Sequence, residues 1–267
     1  MKIKSIFLAS AIGLCGVIGF TSCKKKGCTD SEATNYNSVA NEDDGSCIYD
    51  VVASAAQPAG YSPSFSGTFG TLVAIKTIST TTSPIGPIET QLGTAVAVFS
   101  EDGGGSFISA GTVDVDGNSL TSQSNNSYVY TPGTSNPTGI SFGGTVNWTG
   151  SGSTWPSFNA STTDGFSTVA EISSGDVSTG SSYTATSGSV TNADSTYFGI
   201  YGPDGSVFYI VGGGTNSYTF SAADLSTVGV GQGYVQIIGL NYDPQNIGGR
   251  DYWLINETVR TKSVNLN

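Results

Sequence analysis

YFGIYGPDGSVFYIV, residues 197–211, decides the fold of this chain. Two runs of aromatic and β-branched residues, which favour extended strands, flank the tetrapeptide Gly-Pro-Asp-Gly. Pro203 fixes φ for the first corner of a turn, and Gly205 accepts a positive φ at its end. The stretch therefore predicts two antiparallel strands joined by a tight turn.

Segments of the same kind recur along the chain from Thr71 onward. They are short, rich in Val, Ile, Thr, Tyr and Phe, and separated by turn residues. The clearest are 72–75, 95–99, 111–120, 128–130, 140–148, 218–220, 233–240, 252–255 and 258–266. The pair Asp116-Gly117 stands between alternating residues, as in a two-residue hairpin turn.

Helix signals are scarce by comparison. Ser221 followed by Asp224 is typical of a helix N-terminus, but Gly229 limits the predicted helix to one turn. The chain has one Met, and few other strong helix formers. We therefore predict an all-β protein.

The second half resembles immunoglobulin and fibronectin type III sandwiches. The resemblance rests on Ser217-Tyr-Thr-Phe, Leu225 and the stretch from Gly233 to Asn241. It implies that Leu225 turns the corner between two sheets and that Tyr234 caps that corner. We expect a first β subdomain at 67–160 and an immunoglobulin-like β-sandwich at 161–267, either as one two-part unit or as two packed sandwiches joined near 151–164.

Residues 1–22 have the pattern of a secretory signal peptide. Lys2 and Lys4 precede an apolar run from Ile6 to Phe20, which is shorter than the ~20 residues of a membrane-spanning helix. The run ends in Phe-Thr-Ser-Cys, which resembles a bacterial lipobox and implies lipidation of Cys23. The alternative is an ordinary signal peptide cut elsewhere. Lipidation implies an anchor in the outer membrane, since Lys24 is unlike an acidic inner-membrane retention signal.

Residues 23–50 form a separate module after the signal. Of the four Cys in the chain, Cys15 leaves with the signal and Cys23 takes the lipid, so Cys28 and Cys47 remain as a predicted disulfide. Closing that small loop would contribute about 3 kcal/mol. The segment resembles a Cys-bounded module of surface proteins of Bacteroidota, which implies an extracytoplasmic location. A linker is expected at 51–66.

The same module carries five oxygen-bearing side chains. Their oxygens suit Ca²⁺, but they lack EF-hand spacing, and a polar turn held by the disulfide is the alternative. They are Asp30, Asn35, Asn37, Asp43 and Asp44. We predict no metal site and no cofactor.

Composition excludes several classes of function. The chain contains no His and has a net charge of −11, so Ser-His-Asp and Cys-His catalysis and His-ligated zinc are impossible. After Val51 the only basic residues are Lys76, Arg250, Arg260 and Lys262, and nucleic acid would repel such a body. A glycosidase with paired carboxylates is compatible with the composition, but no spacing singles out a pair, so we predict a non-enzyme.

Two places are candidate ligand sites. Trp148, Trp155 and Phe158 lie in a Gly/Ser/Thr-rich stretch, where aromatic rings beside hydroxyls would suit sugars. The simpler interpretation is that Trp148 belongs to the core and Trp155 packs the junction between the two halves.

Tyr242, Arg250 and Tyr252 gather before the last strands. We expect a recognition loop there, although a surface ion pair between Arg250 and Asp251 is the simpler interpretation.

The body also resembles envelope lipoproteins of Bacteroidota, through Ala97–Phe99, Gly111–Leu120 and Phe142–Trp148. We therefore expect a non-enzymatic, lipid-anchored cell-envelope protein with a structural or adhesive role. The alternative is a carbohydrate-binding lipoprotein of a glycan-uptake system. Expected partners are the membrane, through the lipid, and a polysaccharide or an envelope protein. An exposed Trp155 would favour the alternative, and a buried one would favour the first hypothesis.

Overall fold

The computed structural model describes residues 24–31, 35–46, 63, 65–83 and 86–267. The chain divides into two compact units, Met1–Ala56 and Gln57–Asn267. The predicted signal peptide, Cys23, Cys47 and most of the linker lie outside the described residues. Their predicted roles therefore remain predictions.

The first unit contains a small parallel pair of strands, β1 (Lys26–Gly27) and β2 (Glu42–Asp43). The side chain of Asn41 accepts a hydrogen bond from Lys25 N–H at 2.8 Å. Cys28 is buried next to β1, as a structural cysteine would be.

The second unit is built almost entirely from strands. In chain order they are β3 (Phe69–Ser83), β4 (Gly86–Ser100), β5 (Val113–Val115), β6 (Asn118–Ser119), β7 (Thr121–Ser122), β8 (Tyr128–Tyr130), β9 (Val146–Gly150), β10 (Phe158–Thr162), β11 (Thr168–Val169), β12 (Tyr183–Thr186), β13 (Val190–Thr191), β14 (Ser195–Tyr201), β15 (Ser206–Gly212), β16 (Ser217–Phe220), β17 (Gly231–Ile247) and β18 (Arg250–Leu266). One short helix, α1 (Ala222–Leu225), precedes β17. The predicted all-β class is confirmed.

Two long hairpins form the centre of the main sheet. β3 pairs with β4 over fifteen residues each, and β17 pairs with β18 over seventeen. The two hairpins join through parallel pairing of β18 with β3. The complete eight-stranded sheet has the order β15-β14-β17-β18-β3-β4-β8-β7.

Several local predictions are confirmed. The strands of the stretch 197–211 pair as β14 and β15, with Tyr201 opposite Ser206. Asp116 and Gly117 both have positive φ between β5 and β6, as a two-residue hairpin turn requires. The helix α1 begins with a capping box between Ser221 and Asp224.

One face of the main sheet, which we call the inner face, carries two hydrophobic cores. The first core lies under β3, β4 and the start of β18, and is closed by the four-stranded sheet β10-β9-β5-β6. The second lies under β14, β17 and the end of β18. It is closed by the pairs β11-β13 and β12-β16 and by Leu225 of α1. Both halves therefore share one sheet.

Polar side chains of β18 separate the two cores and bind the segment that crosses above them. Asn256 Nδ2 donates to the carbonyl of Gly165 at 2.8 Å, and Thr258 Oγ1 donates to that of Ser167 at 2.7 Å. Arg260 Nε donates to the carbonyl of Val169 at 2.9 Å, and Lys262 Nζ to that of Ser174 at 2.7 Å. The crossing segment, residues 165–174, thus obtains partners for its buried carbonyls from side chains.

The structure corrects three predictions. The recognition loop expected from Tyr242 to Tyr252 belongs mostly to β17 and β18, which turn only at Gly248-Gly249. Phe65, assigned to the linker, packs against Phe69 with ring centroids 5.1 Å apart. The expected boundary at 160 falls inside β10, within one compact unit.

The corner predicted for the immunoglobulin-like half is only partly present. Leu225 is fully buried, as expected. Tyr234 is 37% exposed and stacks on Tyr201, with ring centroids 4.6 Å apart. Its expected position capping the corner is therefore wrong.

The opposite, outer face of the main sheet carries a third apolar cluster around one carboxyl group. Glu257 lies between Leu240 of β17 and Ile75 of β3. It is buried, and its Oε1 has no hydrogen-bond partner. Burial raises the pKa of Glu257 to about 8, because a charge is poorly solvated there.

This carboxyl group predicts a specific pH dependence of stability. The pKa of Glu257 rises from its ordinary value of 4.5 to about 8 in the fold. Between these two values the folded state keeps a proton that the unfolded state has released, so the protein loses stability as pH rises through this range. Glu257→Gln removes that loss. Urea unfolding should show nearly equal stabilities at pH 4 and a variant more stable by about 3 kcal/mol at pH 7. Parallel pH profiles for the two proteins would contradict this assignment.

Candidate functional site

The predicted aromatic set lies mainly in the first core. Trp155 is fully buried, and its Nε1 donates to the hydroxyl of Tyr252 at 2.7 Å. Phe158 packs on Tyr252 with ring centroids 5.2 Å apart. Trp148, on β9, is 1% exposed. These four residues belong to the packing between the four-stranded sheet and the main sheet.

Arg250 covers the edge of this aromatic cluster. Its guanidinium lies 4.3 Å from the centre of the Trp155 ring. Its Nη1 is 2.8 Å from Glu101 Oε1, so its ion-pair partner is Glu101. Asp251, the partner expected from the sequence, instead accepts a hydrogen bond from Asn246 at 2.8 Å. Arg250 thus covers the Trp155 side of the first core, between the aromatic ring and the Glu101 carboxylate.

These positions correct the expectation of a sugar platform at Trp148, Trp155 and Phe158. A sugar needs an accessible ring face, and none of these three rings offers one. The Gly/Ser/Thr-rich sequence around them reflects tight turns: Ser153 N–H donates to the carbonyl of Trp155 at 2.7 Å. Burial of Trp155 favours the structural hypothesis over the carbohydrate one.

Tyr242 lies elsewhere, in a cleft of about 380 Å³ on the second unit. The cleft is also lined by Asp164, Asn192, Ala193, Asp194 and Asn241. The structure therefore separates Tyr242 from Arg250 and Tyr252, with which the sequence grouped it.

The cleft forms because β17 is longer than its neighbour. β14 begins at Ser195, which pairs with Leu240, while β17 continues to Ile247. Asp194 stands at the step: its main-chain N–H donates to the carbonyl of Leu240 at 2.9 Å. Its Oδ2 accepts the N–H of Tyr242, also at 2.9 Å. The carboxylate oxygen of Asp194 thus accepts the Tyr242 N–H at the point where β14 no longer runs beside β17.

The other wall of the cleft comes from the chain after β10. Asn241 Nδ2 donates to the carbonyls of Asp164 and Gly165, each at 3.3 Å. Asn241 is 6% exposed, and its Oδ1 is buried without a hydrogen-bond partner. Such an atom costs about 1–3 kcal/mol when nothing replaces its lost water.

Negative charge accumulates at this cleft. Burial and then the neighbouring carboxylates of Asp243 and Asp194 raise the pKa of Asp164. The ion pairs of the described residues lie elsewhere, at Lys24–Glu42, Arg250–Glu101 and Arg260–Glu89. The arrangement offers several oxygen atoms and a local excess of negative charge.

Sequence reasoning missed Asp164, Asp194 and Asn241. They come from three distant segments, and only the step between β14 and β17 brings them together. The nearest local signal is Asp194 directly before an apolar strand. That position is equally typical of an ordinary turn.

Other chemical assignments find no further support. Among the described residues, no three His, Cys, Asp or Glu side chains form a metal-binding group. No helix in the described ranges is long and apolar enough to cross a membrane. No protein-family model, curated protein or solved structure matches the chain.

The buried position of Trp155 can be tested by stability. Trp155→Ala should lower the free energy of unfolding by about 3–5 kcal/mol, because it leaves a cavity and an unpaired Tyr252 hydroxyl. The matched control, Tyr234→Ala, removes a partly exposed ring and should cost about 1 kcal/mol. Urea denaturation measures both. Equal small effects would mean that Trp155 is not a core residue.

Proposed function

We propose that this protein is a lipid-anchored component of the cell envelope with a structural role, exerted by strand pairing with a second copy of itself. The anchor rests on the signal and lipobox pattern that ends at Cys23. The outer membrane of Bacteroidota is its proposed location. The relationship of residues 161–267 to immunoglobulin-like sandwiches is also a proposal, supported by the burial of Leu225.

The lysines after Cys23 support a short tether. Lys24 forms an ion pair with Glu42 at 3.2 Å, Lys25 bonds to Asn41, and Lys26 belongs to β1. The folded module thus begins directly after the proposed lipidated residue. Such a module would sit at the membrane surface, where lysines near anionic lipid each gain about 1 kcal/mol.

The observation that carries the structural role is the unprotected edge of the main sheet. β15 is the terminal strand on one side, with the sequence SVFYIVG and neither charge nor proline. Natural sheets usually protect long edges with Lys, Pro or a bulge. The opposite edge is the two-residue, polar strand β7, which is too short to act as a template.

The backbone of β15 is ready to pair outward. Gly202 N–H donates to the carbonyl of Gly205 at 2.9 Å in the turn, and hydrogen-bonded pairs alternate along an antiparallel ladder. The main-chain N–H and C=O groups of Val207, Tyr209 and Val211 therefore point toward β14. The N–H and C=O groups of Phe208 and Ile210 point away from it, and among the described strands none pairs with them.

The sequence of β15 complements itself. When two copies pair antiparallel about Tyr209, Phe208 lies opposite Ile210 of the partner and Val207 opposite Val211. All seven positions overlap, no like charges meet, and apolar cross-strand pairs of this kind each contribute about 0.2–1 kcal/mol. The occupant that fits this edge best is therefore a second copy.

Lipidation is tested with the full chain. Cys23→Ser should move the protein from the membrane fraction to the soluble periplasmic or extracellular fraction. Mass spectrometry should find several acyl chains on residue 23 of the native form and none on the variant. An unmodified Cys23 in the native protein would refute the anchor.

Self-pairing is tested in the same lipid-free Cys23→Ser background. Light scattering should show a concentration-dependent dimer that Phe208→Lys abolishes, because it puts a charge on each side of the new ladder. Ile88→Lys is the matched control: Ile88 is 48% exposed on β4, and its variant should still dimerise.

Amide exchange gives a second measurement that needs no variant. The N–H groups of Phe208 and Ile210 should gain protection as concentration rises. A monomer at every concentration, with fast exchange at both amides, would exclude this assembly and leave the membrane anchor unaffected.

A further inference from the structure

We propose that Tyr209 and Tyr218 of two copies form one aromatic stack across the β15 edge, which makes the second hydrophobic core continuous between the copies. This inference rests on the self-pairing of β15 proposed above. That pairing concerns the main chain of Phe208 and Ile210, whereas the stack concerns the side chains on the inner face of the same strand. The contact between the copies would therefore involve both layers of the second half.

The inner face of β15 carries an aromatic ring at the margin of the second core. Tyr209 lies opposite Phe198 of β14, and its ring stacks on Tyr218 of β16 with centroids 4.7 Å apart and an interplanar angle of 27°. Both tyrosines are only partly buried against this core. β15 is the last strand on this side of the sheet among the described strands, so no described strand covers the flank of Tyr209 that lies away from β14.

The ring of Tyr209 is held in place before any partner arrives. Its hydroxyl donates to Asp224 Oδ1 at 2.6 Å. The other oxygen of that carboxylate accepts the N–H of Ser221 at 2.8 Å and its hydroxyl at 2.7 Å. The capping box of α1 therefore fixes the acceptor, and the acceptor fixes the ring. A side chain that is already ordered loses little entropy when it becomes part of an interface.

Antiparallel pairing about Tyr209 places this ring directly opposite its copy. The main-chain groups of Tyr209 point toward β14, so in the new ladder Tyr209 occupies a non-hydrogen-bonded pair, in which Cα atoms approach to about 4.5 Å and side chains are closest. Residues that lie directly opposite each other project to the same face of a sheet. The two Tyr209 rings therefore meet on the inner face, each with its own Tyr218 behind it.

The residues on either side of Tyr209 extend the same apolar contact. Val207 lies partly buried against the second core, and Val211 is buried in it. In the pairing about Tyr209 each faces the other across the interface, so a Val-Tyr-Val row meets an identical row. A strand with a charged residue at these positions would bury that charge beside aromatic rings, which is costly. A second copy, whose β15 has no charge, avoids this cost.

The test measures the dimer dissociation constant of the full chain in the lipid-free Cys23→Ser background, by sedimentation equilibrium. Tyr209→Ala should raise this constant about tenfold or more, because the dimer loses the ring pair at its centre. Tyr209→Phe keeps the ring and removes only the hydroxyl, so it should dimerise nearly as the parent does. Tyr234→Ala is the matched control: it removes a ring that is 37% exposed on β17, away from the edge, and should leave the constant unchanged.

Photo-oxidative coupling gives a direct measurement of the contact. A light-activated ruthenium complex with persulfate removes one hydrogen atom from each of two neighbouring tyrosines, and a carbon–carbon bond then joins their rings. Mass spectrometry of the cross-linked dimer should find Tyr209 of one copy joined to Tyr209 of the other. Phe208→Lys, which prevents the pairing, should abolish that link but keep the coupling of Tyr209 to Tyr218 within one chain.

The outcomes separate this inference from the self-pairing on which it rests. A parent protein that stays monomeric would overturn both. A parent dimer that Tyr209→Ala and Tyr234→Ala affect equally would overturn the stack alone and leave the pairing of β15 in place. The same conclusion would follow from a dimer in which no cross-link joins the two Tyr209 rings.

Discussion

The architecture depends on the inner face of β18, because every layer of the second unit touches that strand. Side chains project alternately to the two faces of a sheet. The even-numbered residues from Tyr252 to Leu266 therefore all point to the inner face. The first and last of them enter the two cores, and those between hold the crossing segment. A slip of one residue would turn all of these side chains to the outer face.

Polar pairing along β18 therefore fixes register more than it adds stability. Arg260 is buried among three acceptors: the carbonyl of Val169, the hydroxyl of Thr80 and the carboxylate of Glu89 at 2.6 Å. Since 58% of the Glu89 side chain is exposed, solvent screens that ion pair and its net contribution is small. An unpaired Arg260, by contrast, would leave a buried charge, and that penalty excludes other registers.

The sequence predicted elements with local signals and failed where the signal is distant. The β14–β15 hairpin, the Asp116-Gly117 turn and the cap of α1 each depend on residues within a few positions of one another. The length of β17 was missed because Pro244 is typical of a loop. Pro244 pairs with Trp253 on β18, and its missing N–H is harmless beyond the end of β14.

The predicted ligand sites were not found where the sequence placed them, for the same reason. Trp155 was a candidate surface aromatic only because its neighbours are Gly, Ser and Thr, and the residue that its indole N–H binds, Tyr252, is ninety-seven positions away. The cleft residues are likewise assembled by the unequal lengths of two strands. Neither hydropathy nor residue spacing shows that two strands far apart in the chain end at different heights in the sheet. Composition therefore identified the class of fold, but it did not identify the cleft that the unequal strand ends form.

A membrane anchor changes what a weak edge contact can do. In free solution an isolated strand pair adds few contacts and competes with the entropy of two independent molecules. Two copies tethered to the same membrane are already confined, which raises their effective concentration without any new contact. If the chain is held by lipid as proposed, an uncharged edge such as β15 could therefore pair with a second copy through few contacts. The two-residue β7 at the other end is too short to pair with a further copy, so the proposed pairing through β15 would end at two copies.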